Sequence, residues 1–182
     1  MLVFWCDSIC NMDKQKINIA YIDAANLDRA LKSLNWKIDY ERFRVWLKDK
    51  YQIERAYIFI GLIPKYSYLY TYLSESGFTL VFKEVVYQNG SDKPKGNCDT
   101  DLIMQAMEDY YEGNLSKAVL VASDGDYAPL VKKFHEQDSF YTVLSPALSK
   151  QCSILLKKTG VKISYINDQR SILEKKQRKN PQ

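Results

Sequence analysis

Aspartates follow two short apolar segments of the chain that have the composition of β-strands. Residues 17–22, INIAYI, end at Asp23, and residues 118–122, AVLVA, are followed after one serine by Asp124, a glycine and Asp126. The carboxyl ends of parallel strands meet at one edge of a sheet, and open α/β proteins bind their ligands at that edge. The spacing therefore predicts a cluster of carboxylates at the carboxyl edge of a parallel sheet.

A second acidic pair, Asp99 and Asp101, begins a segment with helical apolar spacing. It follows directly after residues 89–97, NGSDKPKGN, a loop that carries lysines. Each aspartate also has an ordinary structural alternative: Asp23 and Asp99 suit helix caps, and the two aspartates beside Gly125 suit a turn. The functional interpretation rests on all of them meeting in one cleft.

Several carboxylates in one cleft repel one another and raise each other's pKa unless a cation lies between them. The chain has one histidine, His135, and four cysteines without paired spacing, which argues against zinc and against histidine-based catalysis. Oxygen ligands alone are typical of Mg²⁺ or Mn²⁺, which activate water and stabilise charge on a phosphodiester. The sequence also lacks the glycine loops GxGxxG and GxxxxGK[ST], so we expect hydrolytic nuclease chemistry rather than a dinucleotide or nucleoside triphosphate site.

Strand-like and helix-like segments alternate along the chain, and local signals mark the helix ends. Asp39 precedes the segment YERFRVWLKDKY, Pro64 suits the first turn of the next helix, and Gly77 suits its end. The strand segments are short and nearly all apolar, as in sheets covered on both faces. The pattern predicts an α/β protein with a mostly parallel sheet between helices.

Three segments resemble the motifs of the NYN domain, the LabA-like branch of the PIN-like nuclease superfamily. YIDAANL at 21–27 is similar to the first motif, KGNCDTDL at 95–102 to the second, and VASDGDYAPLV at 121–131 to the third. The resemblance covers roughly residues 17–166, judged by the strand and helix pattern. It implies a Rossmann-like three-layer α/β/α sandwich and metal-dependent cleavage of RNA.

The resemblance also implies roles for individual residues. The expected metal-binding and catalytic residues are Asp23, Asp99, Asp124 and Asp126, the last as a ligand or as the base that orients water. The resemblance also places Asn26 in this pocket. From the residue types we expect Asn26 and Ser123 to orient carboxylates or contact the phosphate, and Lys93 and Lys95 to hold the substrate backbone, with a solvated loop as the equal alternative for both lysines. Thr100 is expected to orient a carboxylate or contact phosphate, and Asp101 to be a ligand, a residue supporting the ligands or an exposed helix residue.

The chain divides into three expected parts: an N-terminal extension at 1–16, the NYN domain at 17–168 and a basic tail at 169–182. The tail has five Lys or Arg residues and one Glu, which accounts for the whole net charge of +4. Solubility is the common explanation for such a tail, and contact with nucleic acid is the alternative.

The sequence therefore predicts a cytoplasmic, Mg²⁺- or Mn²⁺-dependent endoribonuclease, with RNA as substrate and DNA as the alternative. A regulatory module that binds RNA or protein without useful turnover, or a small-molecule phosphoryl hydrolase, would suit the same carboxylates. No apolar run approaches the roughly 20 residues that span a bilayer, so we expect no membrane insertion. The oligomeric state, including a homo-oligomer, is left open.

Overall fold

The computed structural model describes residues 15–84, 86–87, 94–95 and 98–176. Its strands are β1 Ile17–Asp23, β2 Ile53–Leu62, β3 Thr79–Glu84, β4 Val86–Tyr87, β5 Pro94–Lys95, β6 Leu115–Val121, β7 Phe140–Ser145 and β8 Ile163–Tyr165. Its α-helices are α1 Ala24–Ser33, α2 Tyr40–Tyr51, α3 Ser67–Glu75, α4 Asp99–Tyr111, α5 Ala128–Glu136, α6 Ile154–Lys158 and α7 Arg170–Leu173. Short 3-10 helices lie at Pro64–Tyr66, Gly125–Tyr127 and Ile166–Gln169.

Six strands form one parallel sheet in the order β3-β2-β1-β6-β7-β8. Strands β4 and β5 form a separate antiparallel pair. In the centre of the main sheet, Ala20 of β1 lies between Ala56 of β2 and Val119 of β6. The parallel sheet predicted from the apolar segments is confirmed.

Helices cover both faces of this sheet, as the continuous apolar strands require. Along β1, Ala20 and Ile22 belong to one buried cluster, whereas Ile19 and Tyr21 belong to the other, because successive side chains point to opposite faces. Helices α1, α2, α3 and α7 contribute to the first cluster, and α4, α5 and α6 contribute to the second. The result is the three-layer α/β/α sandwich that the resemblance implied.

The order in which strands join the sheet reverses at its centre, although all six strands run parallel. The chain passes from β1 outward through β2 to β3, and later returns to the other side of β1 as β6. Such a switch point leaves a crevice at the carboxyl ends of the two central strands. This crevice lies beside Asp23 at the end of β1 and beside residues 122–126 after β6.

Part of the segment that the sequence assigned to a basic tail is folded onto the domain. Leu173, at the end of α7, is fully buried in the same cluster as α1 and α2. Its carbonyl oxygen accepts a hydrogen bond of 2.8 Å from the Asp39 amide, and Glu174 forms an antiparallel bridge with Ile38. The segment is basic overall but includes two apolar residues, Ile172 and Leu173, and Leu173 packs in the core. Residues 1–14 and 177–182 lie outside the described part, so the three-part division of the chain stays a prediction.

Candidate metal centre

Two segments that follow the central strands form one side of the centre. Strands β1 and β6 pair with Ile22 opposite Val121, so Asp23 and the turn after β6 lie at the same edge of the sheet. The turn fits closely against the start of α6, where a Cβ atom added at Gly125 would collide with the Ser153 hydroxyl. Glycine therefore allows the turn that carries the two flanking aspartates to pack against the start of α6.

Three carboxylates converge at this edge. One oxygen from each of Asp99, Asp124 and Asp126 lies within 4.8 Å of the others. Asp99 is the first residue of α4, after Cys98 at the cap position, where the helix dipole favours a negative charge. Asp124 caps the following 3-10 helix, and its Oδ1 accepts a hydrogen bond of 3.2 Å from the Asp126 amide. Asp126 is exposed, whereas the other two are half-buried.

Asp23 lies beside this group in a more buried position. Its Oδ1 accepts a hydrogen bond of 2.9 Å from the Asn26 amide, so the carboxylate also caps α1. Only 6% of the residue is exposed, and this burial raises the pKa of its carboxyl group. The oxygens of Asp23 are not part of the group within 4.8 Å. The capping role expected as the structural alternative is therefore confirmed, and the role of Asp23 as a ligand stays a prediction.

The Tyr127 hydroxyl connects Asp23 with Asp99. Its oxygen lies 3.1 Å from Asp23 Oδ2 and 2.5 Å from Asp99 Oδ1, at the end of a fully buried ring. Burial and the two carboxylates raise the pKa of Tyr127, so its hydroxyl keeps its hydrogen. That single hydrogen is donated to one carboxylate at a time.

Asn26 and Ser123 hold the ends of the central strands together. Asn26 Oδ1 accepts hydrogen bonds from the Ser123 amide at 3.0 Å and from the Ser123 hydroxyl at 2.8 Å. The two residues are 97 positions apart in sequence, so this contact fixes α1 against the turn after β6. Their predicted contact with substrate stays a prediction.

Other residues expected near the centre lie elsewhere or outside the described residues. Asp101 forms an ion pair of 2.7 Å with Lys83 of β3, and its side chain is 42% exposed. Thr100 is exposed. Lys93 lies outside the described residues, and Lys95 belongs to β5, with its side chain outside the described part. The predicted roles of Thr100, Lys93 and Lys95 toward substrate stay predictions, and so does a role of Asp101 as a ligand or as a support for the ligands.

A cleft of about 660 Å³ opens at the carboxylates. Its polar lining includes Asp23, Asn26, Asp99, Asp124 and Asp126, and it extends beside α1 to Arg29, Lys32 and Tyr66. Apolar side chains from β2 and α3 also line the cleft. The lining is acidic overall, because Asp28 also lines the cleft and pairs with Lys32, so a negatively charged ligand would need a cation to compensate the carboxylates.

The donor atoms fit a hard divalent cation. Mg²⁺ binds oxygen ligands at about 2.0–2.1 Å. The oxygens of Asp99, Asp124 and Asp126 lie within 4.8 Å of one another, so small side-chain movements would let all three hold one ion. Cys98 also lines the cleft, but burial and nearby Asp23 raise the pKa of its thiol to about 11. Its thiol is therefore protonated at neutral pH in the metal-free protein.

A family model of the NYN domain matches residues 18–162. The chain belongs to the NYN domain family. This confirms the resemblance carried by the three motifs and assigns the chain to the PIN-like nuclease superfamily. NYN domains are generally nucleases that depend on divalent metals, and this one has a group of aspartates that could hold such an ion.

The fold of this NYN domain is similar to that in the crystal structure of VPA0982, a protein of unknown function from Vibrio parahaemolyticus RIMD 2210633. The TM-score is 0.65 and the sequence identity is 21%, with 87% of this chain and 96% of that chain covered. The likeness shows the fold alone. No curated protein matches the chain significantly. Among the described helices of the NYN domain, none has the length and apolar character to cross a membrane.

Tyr127 is the residue of this centre that sequence reasoning missed. A signal was present: the tyrosine follows the acidic turn directly in SDGDY. From the sequence, Tyr127 is indistinguishable from an ordinary core aromatic residue, because its partner Asp23 lies 104 positions away. Only the packing of α4 against the turn after β6 brings the hydroxyl between the two carboxylates.

Proposed function

We propose that this protein is a metal-dependent ribonuclease, an endoribonuclease that hydrolyses RNA phosphodiester bonds at the aspartate centre. The proposal is carried by one observation: oxygens of Asp99, Asp124 and Asp126 lie within 4.8 Å of one another at the carboxyl edge of the sheet. Membership of the NYN family supports the nuclease class.

Mg²⁺ or Mn²⁺ is the proposed cofactor. Asp99, Asp124 and Asp126 would hold it, with Asp23 as a further ligand. When bound, such an ion lowers the pKa of a coordinated water and neutralises the charge that develops on the phosphate. The acidic group needs that compensation, since several carboxylates alone repel a phosphodiester.

The chain's own groups would orient and hold protons around the scissile bond. Asp126 is the exposed carboxylate of the group and is the proposed acceptor of the proton from the attacking water. Tyr127 holds Asp99 and Asp23 in place through its hydroxyl. The hydrogen bonds between Asn26 and Ser123 keep the two strand ends in register.

The test is cleavage of labelled single-stranded RNA, structured RNA and DNA in EDTA, Mg²⁺ and Mn²⁺. We expect internal cleavage of RNA with either metal and none in EDTA. Asp99→Asn should reduce the rate by orders of magnitude, because the amide has no charge to offer the metal. Asp101→Asn is the matched control: it lies on the same helical turn but pairs with Lys83 at the surface. Equal rates in wild type and folded Asp99→Asn would contradict the proposal.

Metal binding is tested separately by thermal unfolding. At a Mn²⁺ concentration 100 times Kd, binding adds about 2.7 kcal/mol to the free energy of unfolding, which raises Tm by about 5–11 °C in a protein of this size. Asp124→Asn should lose most of that rise, whereas Asp101→Asn should keep it. A rise of the same size in both variants would contradict the metal site. Metal binding without RNA cleavage would favour the binding-module alternative.

A further inference from the structure

A second and larger cleft lies on the face of the sheet covered by α1, α2, α3 and α7. It has a volume of about 1220 Å³ and is called here the α1–α7 cleft. Its lining comes from the end of α1, the α1–α2 connection, the start of α2, one residue of α3, and α7 with the residues after it. It is distinct from the carboxylate group, none of whose members lines it.

Positive charge predominates in this cleft. Five Lys or Arg residues and three Asp or Glu residues line it, which leaves a net charge of +2. Arg42 is paired with Asp39, and Lys32 is paired with Asp28. By contrast Lys37, Lys175 and Lys176 are exposed and form no ion pair within the described part of the chain.

The fold holds two of these lysines near each other and near an aromatic ring. The Lys175 amide donates a hydrogen bond of 2.9 Å to the Lys37 carbonyl oxygen, so both backbones are fixed at this point. Lys175 Nζ lies 5.2 Å from the centre of the Tyr72 ring. Cationic groups beside an aromatic face are typical of surfaces that bind single-stranded nucleic acid.

The α1–α7 cleft and the cleft at the carboxylates share one lining residue on α1. Lys32 lines both of them, and Arg29, one helical turn earlier, lines the catalytic cleft. Helix α1 begins beside Asp23 and ends beside Lys32, and its ten residues span about 15 Å. A polyanionic strand at the carboxylates would reach the second cleft along α1, past Arg29 and the ion pair of Lys32 with Asp28.

We propose that the α1–α7 cleft binds the backbone phosphates of a single RNA strand several nucleotides away from the bond that is cut. This inference rests on the proposed ribonuclease function, because it takes the strand to start at the carboxylate centre. Lys37, Lys175 and Lys176 supply the phosphate contacts. Such contacts position the strand without reading its bases.

The experiment measures RNA affinity across a salt series, with Ca²⁺ in place of Mg²⁺ to slow turnover. The test variant combines Lys37→Gln, Lys175→Gln and Lys176→Gln. The control variant removes equal charge at three exposed lysines outside both clefts, with Lys48→Gln, Lys133→Gln and Lys162→Gln. Thermal unfolding confirms that both variants fold.

Each lost phosphate contact should reduce the slope of log affinity against log salt concentration by about 0.7. The test variant loses three contacts, so its slope should differ from that of wild type by about 2. Between 50 and 200 mM salt, wild-type affinity for a 20-nucleotide RNA should then fall about 20-fold more than that of the test variant. The test variant should also prefer 20-nucleotide RNA over 3-nucleotide RNA by a smaller factor than wild type does. The control variant should keep the wild-type slope.

Equal slopes in the test and control variants would overturn the inference, whether or not the protein cleaves RNA. A flattened slope in the test variant alone, without cleavage by wild type in any metal, would reject the ribonuclease function but support the cleft as a binding surface. If the test variant lost affinity for polyglutamate of matched charge but kept wild-type affinity for RNA, the cleft would suit an acidic protein partner and the assignment to RNA would be overturned.

Discussion

Removing the Tyr127 hydroxyl tests how the aspartate centre is held together. Tyr127→Phe keeps the buried ring and deletes only the oxygen that lies 3.1 Å from Asp23 Oδ2 and 2.5 Å from Asp99 Oδ1. Asp23 is almost fully buried, so water cannot fully replace the lost partner. We expect a less stable metal-free protein.

The expected size follows from the kind of hydrogen bond that is lost. A hydrogen bond to a charged group contributes about 1.5–3 kcal/mol, and in a protein of this length that corresponds to a fall in Tm of about 3–12 °C. The hydrogen bond from Tyr127 lowers the pKa of Asp23 and so favours its charged form. The deficit should therefore be present at neutral pH and become smaller as pH falls and Asp23 is protonated.

The assay is urea unfolding in EDTA at pH 7 and at pH 4, followed by tryptophan fluorescence. A double-mutant cycle with Asp23→Asn supplies the control, because an uncharged residue at 23 has less need of the hydroxyl. The free-energy cost of Tyr127→Phe should be smaller in that background. A cost below about 0.5 kcal/mol in the wild-type background would refute the role of this hydroxyl, since that is the usual range of inconsequential substitutions.

Two further predictions concern packing and buried charge. Leu173→Ala should lower the free energy of unfolding by about 2–5 kcal/mol in urea because it opens a cavity in the core, whereas Ile172→Ala, at a half-exposed neighbour, should cost far less. Burial raises the pKa of the Asp109 carboxyl, so ionisation of this group opposes folding. As pH rises above about 4, the free energy of unfolding of wild type should therefore fall relative to Asp109→Asn, which keeps an acceptor for the Tyr21 hydroxyl. This prediction would be contradicted if urea titrations gave the same difference in free energy of unfolding between wild type and Asp109→Asn at pH 4 and at pH 7.

The central strands and the aspartates that follow them were predictable because the relevant signals are local. Each apolar segment ends at a polar turn, and a parallel sheet brings such ends to one edge. The cap at Asp39 was also predictable, since a capping side chain bonds an amide only three residues away.

Asp99 and Asp101 show where sequence reasoning stops. Both lie in the first turn of α4, but residues two apart point to different sides of a helix. Which side meets the turn after β6 depends on how α4 packs on the sheet, and only the structure shows Asp101 paired with Lys83. Leu173 is a similar case, because its burial depends on α2 and α1 rather than on its basic neighbours.

Strand β6 comes late in the sequence but lies beside β1 in the sheet. This order has a consequence for a chain that is still being synthesised. Asp99, Asp124 and Asp126 come from two distant segments, and the turn that carries the last two is fixed only when β6 has joined the centre of the sheet. A ribosome-bound fragment that ends before β6 has β1 with one open edge and no assembled centre. Under the proposed function, nuclease activity would thus appear only after most of the protein has been synthesised, and a truncated product would not cut RNA.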